Sequence, residues 1–149
     1  MKKAALFLII LGCLAGLSFG RDGAIGLGII LGEPTGFSGK YWTGKTTAFD
    51  AGAAWSFVGD DFFQIHGDFI FHNFNLFQVD KGKMALYYGF GCRVQFADQT
   101  IVSGRVPIGI SYQFEKTAIE LFLEVVPMLD IIPATQADIG GGIGFRYFF

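Results

Sequence analysis

The segment Asp138-Ile-Gly-Gly-Gly-Ile-Gly-Phe-Arg-Tyr-Phe-Phe149 constrains this chain more than any other. Its odd positions (Ile139, Gly141, Ile143, Phe145, Tyr147, Phe149) are apolar or small and end in aromatics. Its even positions Asp138, Gly140, Gly142, Gly144 and Arg146 are small or charged, with Phe148 the exception. Period two sends the two sets to opposite faces of a β-strand. In water such an apolar edge would be sticky. The rest of the chain shares the problem: charged residues make up 16% of it and the mean hydropathy is +0.47, too apolar for an ordinary soluble domain of 149 residues. Past the N-terminus no uninterrupted apolar run approaches the ~20 residues of a spanning helix. Two architectures remain, a buried all-β core or a barrel with its apolar face outward.

The N-terminus reads as a secretory signal, with Met1-Lys2-Lys3, an apolar stretch from Ala4 to Leu17, and then Ser18-Phe19-Gly20 before Arg21-Asp22. Small residues at Ser18 and Gly20 suit cleavage between Gly20 and Arg21. The expected organisation is therefore a signal peptide over 1–20 and one domain over 21–149. An alternative, acylation of Cys13 in Ile10-Leu11-Gly12-Cys13, has a weak first position and a short apolar region. Cleavage removes Lys2 and Lys3, leaving nine basic and thirteen acidic residues, a net charge of −4. No basic cluster remains, so nucleic acid is not an expected partner. Cys92 is left alone, without a disulfide framework, and reads as a small residue on an apolar face.

Apolar runs separated by short turns fill the rest of the chain. They are Ala24 to Gly32, Gly36 to Trp42, Thr46 to Phe57, Phe62 to His72, Met84 to Phe96, Ile101 to Phe114, Ala118 to about Leu129, and the C-terminal stretch. The longest connection runs from Asn73 to Lys83. Short strands at regular spacing indicate a sandwich or barrel.

Parity separates the faces. One face collects Ile25, Leu27, Ile29 and Leu31, Phe37 and Tyr41, Phe49 to Phe57 in steps of two, and their equivalents in later runs. The opposite face collects Lys40, Asp50, Asp68, Arg93, Arg105, Glu120, Glu124, Asp138 and Arg146, with His66 beside them and many glycines between. A face with so few charges cannot solvate a barrel, and the other carries too many aromatics to fit inside one. The expectation is an all-β, eight-stranded, antiparallel up-and-down transmembrane β-barrel with its charges inside. Eight strands leave an interior just wide enough for side chains to fill. Unpaired buried charges are costly, so these ten residues should form a paired, plugged interior. Aromatics at run ends, among them Trp42, should form two girdles. Pro107, inside the sixth run, should mark a bulge or a strand start near Val106.

Gly39-Lys-Tyr-Trp-Thr-Gly-Lys-Thr46 fits the P-loop expression, but a strand pattern follows where a helix is needed. His66, Asp68 and His72 span ~20 Å along a strand, too far for one metal ion. Glu120 and Glu124, four apart on a strand, stand ~13 Å from each other, too far for a glycosidase pair. No nucleophile-base-acid group can be assembled, so no enzyme activity, cofactor or metal is expected.

With a signal at one end and Gly142-Ile-Gly-Phe-Arg-Tyr-Phe-Phe149 at the other, the chain resembles the small bacterial outer-membrane barrels of the OmpA transmembrane-domain and OmpX type. The stretch from Ala118 to Phe149 is also similar to a group of short outer-membrane proteins. The resemblance implies the outer membrane of a Gram-negative bacterium, with outer-membrane lipids as surroundings and a monomeric state. It also implies recognition by the barrel assembly machinery and periplasmic chaperones, with Phe145, Tyr147 and Phe149 as an assembly signal. Long extracellular loops, common among such proteins, are missing from the pattern. The implied function is structural or envelope-interacting. The alternatives are a secreted lipocalin-like binder of a small apolar ligand and a narrow pore.

Overall fold

The computed structural model describes residues 24–56 and 61–149. The expected signal segment, its junction at Gly20 and Arg21, and Phe57 lie outside the described residues. Nine strands form one antiparallel sheet: β1 (Ile25–Glu33), β2 (Thr35–Trp42), β3 (Thr47–Ser56), β4 (Phe62–Asn73), β5 (Lys83–Phe96), β6 (Thr100–Arg105), β7 (Ile108–Gln113), β8 (Ile119–Ile132) and β9 (Gln136–Phe148). Each strand pairs with its neighbours in sequence, except that β6 and β7 both lie between β5 and β8, and β9 returns to β1 with Gly26 opposite Phe148 and Glu33 opposite Gly141. The sheet is thus a closed ring, which leaves no edge strand to protect.

Nine strands occupy eight places in the ring because β6 and β7 are one staff interrupted at Val106-Pro107. Gly91 pairs with Arg105 and Tyr88 with Ile108, the same register on both sides of the break. Pro107 lacks an N–H but its carbonyl accepts from Gly89 N at 3.1 Å, and Val106 N donates to the carbonyl of Pro127 on β8 at 3.0 Å. In an antiparallel ladder both groups of a residue face the same neighbour. Each proline therefore removes one bond, Pro107 toward β5 and Pro127 toward Val106. Of the two expectations at Pro107, the strand start near Val106 holds, since β6 ends at Arg105 and β7 begins at Ile108, and the bulge does not: the register shift lies between Val102 and Ser103.

A second correction concerns β8, which runs to Ile132 rather than ending near Leu129. Only Pro133-Ala134-Thr135 then joins it to β9. The Gly39–Thr46 segment is the end of β2 and a tight turn, in which Thr43 N and Gly44 N both donate to Thr47 O. It leads into a strand, so the phosphate-loop geometry is not formed.

The faces follow parity around the ring. Phe37, Phe90 and Leu123 are 61%, 62% and 56% exposed on the outside. Outer rings meet in two bands, with Phe37–Trp55 and Phe63–Phe96 near one rim and Tyr112–Phe114 and Tyr147–Phe149 near the other. Trp42 is the correction here. It lies on the lumen side, 4.4 Å from the His72 ring and under the Lys40 ammonium.

Inside, glycines sit directly across from large side chains. Gly26 pairs with Phe148, Gly52 with His66, Gly109 with Tyr87 and Gly144 with Phe122. A Cβ at Gly109 would lie 2.4 Å from the Tyr87 ring, and one at Gly144 2.4 Å from the Phe122 ring. This small-against-large matching fits an eight-stranded lumen. It also accounts for Phe148, the exception to the C-terminal alternation, whose ring fills the space across from Gly26. Gly109→Val should push Tyr87 off Glu124 and cost about 1–3 kcal/mol, as overpacking does. A urea midpoint equal to that of the unchanged chain would contradict this packing.

Candidate functional site

The interior is the place where chemistry-bearing side chains converge, and it is built in layers. Nearest the rim that carries Ile25 and Phe148, Glu120 lies at the centre. Lys40 Nζ donates to its two oxygens at 2.9 and 3.1 Å, and Arg146 Nη1 at 2.7 Å. Gln113 Nε2 adds a longer contact at 3.3 Å. Arg146 also donates from Nη2 to Asp50 at 2.5 Å and from Nε to Ser38 at 3.0 Å, with its guanidinium 3.9 Å from the centroid of the Phe122 ring. Glu120 is 0% exposed and Arg146 1%. The strand faces dictate this: Lys40 and Asp50 are a cross-strand pair on β2 and β3, and Glu120 and Arg146 on β8 and β9.

In the middle layer Arg105 Nε lies 2.9 Å from Asp68 Oδ1, a charge contact whose angle is off line for a hydrogen bond. Arg105 Nη2 is 3.9 Å from Glu124, which accepts a bond from Tyr87 OH at 2.8 Å. A cavity of about 30 Å³ lies beside this layer, lined in part by Gln64, His66, Arg105 and Glu124. That is roughly the room of two water molecules. Gln64 Oε1 and His66 Nδ1 meet no protein partner among the described residues. His66 therefore stands inside the barrel as expected, but its Nδ1 joins no hydrogen bond of the network.

Toward the opposite rim Arg93 donates to Asp130 at 2.8 Å, to Asp138 at 3.1 Å and to Ser103 at 2.9 Å. Ser103 in turn donates to Asp130 at 2.5 Å. Asp138, expected inside, is at the rim with its side chain 46% exposed. Asp130 was not among the expected interior residues, because Asp130-Ile-Ile-Pro133 reads as a turn. The signal that finds it is parity, since Leu129 and Ile131 continue the outward series and leave Asp130 facing in. Ser38, Ser103, Tyr87 and Gln113 also complete the network and carry no charge that would flag them.

Among solved structures the chain is similar to the crystal structure of the N-terminal β-barrel domain of Pseudomonas aeruginosa OprF. The TM-score is 0.69 at 13% identity, over 85% of this chain and 98% of that one. This chain has the fold of a small outer-membrane barrel. It is also similar to Neisserial surface protein A, at TM-score 0.47 and 17% identity, over 84% of this chain and 93% of that one. No protein-family model matches the sequence, and no curated protein sequence does. In this barrel, Phe145 and Tyr147 lie on the outer face of β9, with Phe149 just beyond the strand's end.

Proposed function

We propose that the chain is a non-enzymatic integral protein of the Gram-negative outer membrane, a barrel whose paired interior closes the lumen and whose role is structural or in contact with envelope lipids. The observation that carries this reading is the inverted distribution of polarity: aromatics and aliphatics outside, four cations and six carboxylates facing the lumen. The dimensions agree. The shortest of the unbroken strands, β2, has eight residues. At ~3.4 Å per residue and a tilt of ~40° it rises about 20 Å, and its neighbours more, near the ~25 Å apolar band of such barrels. A lipocalin-like binder would need an apolar cavity, and the lumen holds ion pairs. Outer-membrane lipids are the proposed surroundings. The assembly machinery and periplasmic chaperones are the proposed biogenesis partners, with Phe145, Tyr147 and Phe149 as the recognised aromatics, and the proposed state is a monomer.

Closure of the lumen is tested by planar-bilayer recording. The refolded barrel is expected to give no discrete conductance steps at neutral pH. Stable, reproducible steps would favour the narrow pore, and would require Glu120, Lys40 and Arg146 to part.

A further inference from the structure

Among the described residues the exposed lysines are confined to one rim, where the exposed carboxylates Asp80 and Glu115 accompany them. Lys45, Lys81, Lys83 and Lys116 all lie in the turns and strand starts at the rim that carries Ile25 and Phe148, while every arginine among the described residues is buried. The turns at the opposite rim carry Glu33, Asp61 and Asp98, with no exposed lysine or arginine among the described residues there. None of the four lysines forms an ion pair among the described residues.

Two of them, Lys81 and Lys116, line one cleft of about 220 Å³ with Glu115, Thr117, Tyr112 and Phe114. The cleft is built. Tyr112 OH donates to Lys81 O at 2.8 Å, which ties the 74–82 connection to β7, and the Tyr112 and Phe114 rings pack edge to face at 4.9 Å. Both rings are on the outward face of β7 and its continuation, so the cleft is continuous with the apolar wall formed by Ile110 and Leu121. Two ammonium groups against one carboxylate leave a net charge of +1 beside an apolar surface. That complements a phosphodiester without a compensating ammonium, its acyl chains running up the wall.

We propose that this cleft is a binding site for the headgroup of an anionic phospholipid, phosphate between Lys81 and Lys116 and chains against Tyr112 and Phe114. The proposal rests on the membrane reading above. Lysines at the headgroup level attract anionic lipid at about fivefold in affinity each.

The test is native mass spectrometry of the barrel ejected from vesicles of equal phosphatidylglycerol and phosphatidylcholine. The expected result is one retained lipid, phosphatidylglycerol, favoured by tenfold or more, by the same per-lysine effect. The preference should fall toward unity in Lys81→Gln/Lys116→Gln and persist in Lys45→Gln/Lys83→Gln. Equal retention of the two lipids, or an equal loss of preference in both double variants, would overturn the site. So would displacement of the retained lipid by millimolar inorganic phosphate, which would make the occupant a free anion. A boiled-versus-unboiled mobility shift, recorded on each sample, separates this failure from failure of the barrel itself.

Discussion

Glu120→Ala is expected to destabilise the folded barrel by about 3–5 kcal/mol, the usual cost of leaving a buried charge uncompensated. Glu120 is the shared acceptor of Lys40 and Arg146. Its removal leaves Arg146 with Asp50 and Ser38, but Lys40 with no carboxylate within ion-pairing distance among the described residues. The loss is read from urea unfolding in lipid vesicles, followed by tryptophan emission in a Trp55→Phe background, which leaves Trp42, whose ring is 4.3 Å from Lys40 Nζ, as the reporter. Adding Lys40→Met to Glu120→Ala should recover part of the loss, because it removes the orphaned charge. Asp138→Ala supplies the contrast. That carboxylate is partly solvated, and Arg93 keeps Asp130 and Ser103. About 0–1 kcal/mol is expected there, as for exposed pairs. If Glu120→Ala cost no more than Asp138→Ala, the buried layer would not hold the barrel together.

Leu123→Arg should cost about 2–4 kcal/mol in a bilayer, the penalty for a cation on the lipid face at mid-height. Leu123 is the fifth of the fourteen residues of β8 and pairs with Ile143 near the middle of β9, with Ile110 on its other side. The same change at Ile131, near the rim, should cost about 0–1 kcal/mol. Depth dependence is the diagnostic feature, since a barrel in water would solvate an outward arginine equally well at both heights. Equal unfolding midpoints for Leu123→Arg and Ile131→Arg would contradict a lipid-facing wall.

Strands and faces were legible because each strand alternates apolar with small or polar residues, and one face of a barrel is set by parity alone. Leu27, Phe49 and Leu121 announce the outer wall as clearly as Lys40, Asp50 and Glu120 announce the lumen. What failed was local. Asp130-Ile-Ile-Pro looks like a corner, yet pairing with Gln136 carries β8 through Asp130. Trp42 shares the parity of Ser38 and Lys40 and so faces inward, against the habit of aromatics at strand ends. Pairing partners were not legible at all. Arg146 reaches Ser38 across 108 positions and Lys40 reaches Glu120 across 80, contacts that exist only once the ring has closed. Alternation says which side a residue faces. It does not say which layer it joins.

The most direct test of the central claim is heat-modifiability of the chain without residues 1–20 after refolding into detergent micelles. A closed barrel with a lipid-facing wall predicts different gel mobilities for boiled and unboiled samples, together with a strong β signal in circular dichroism. A chain that folds in buffer without detergent and migrates identically before and after boiling would contradict it.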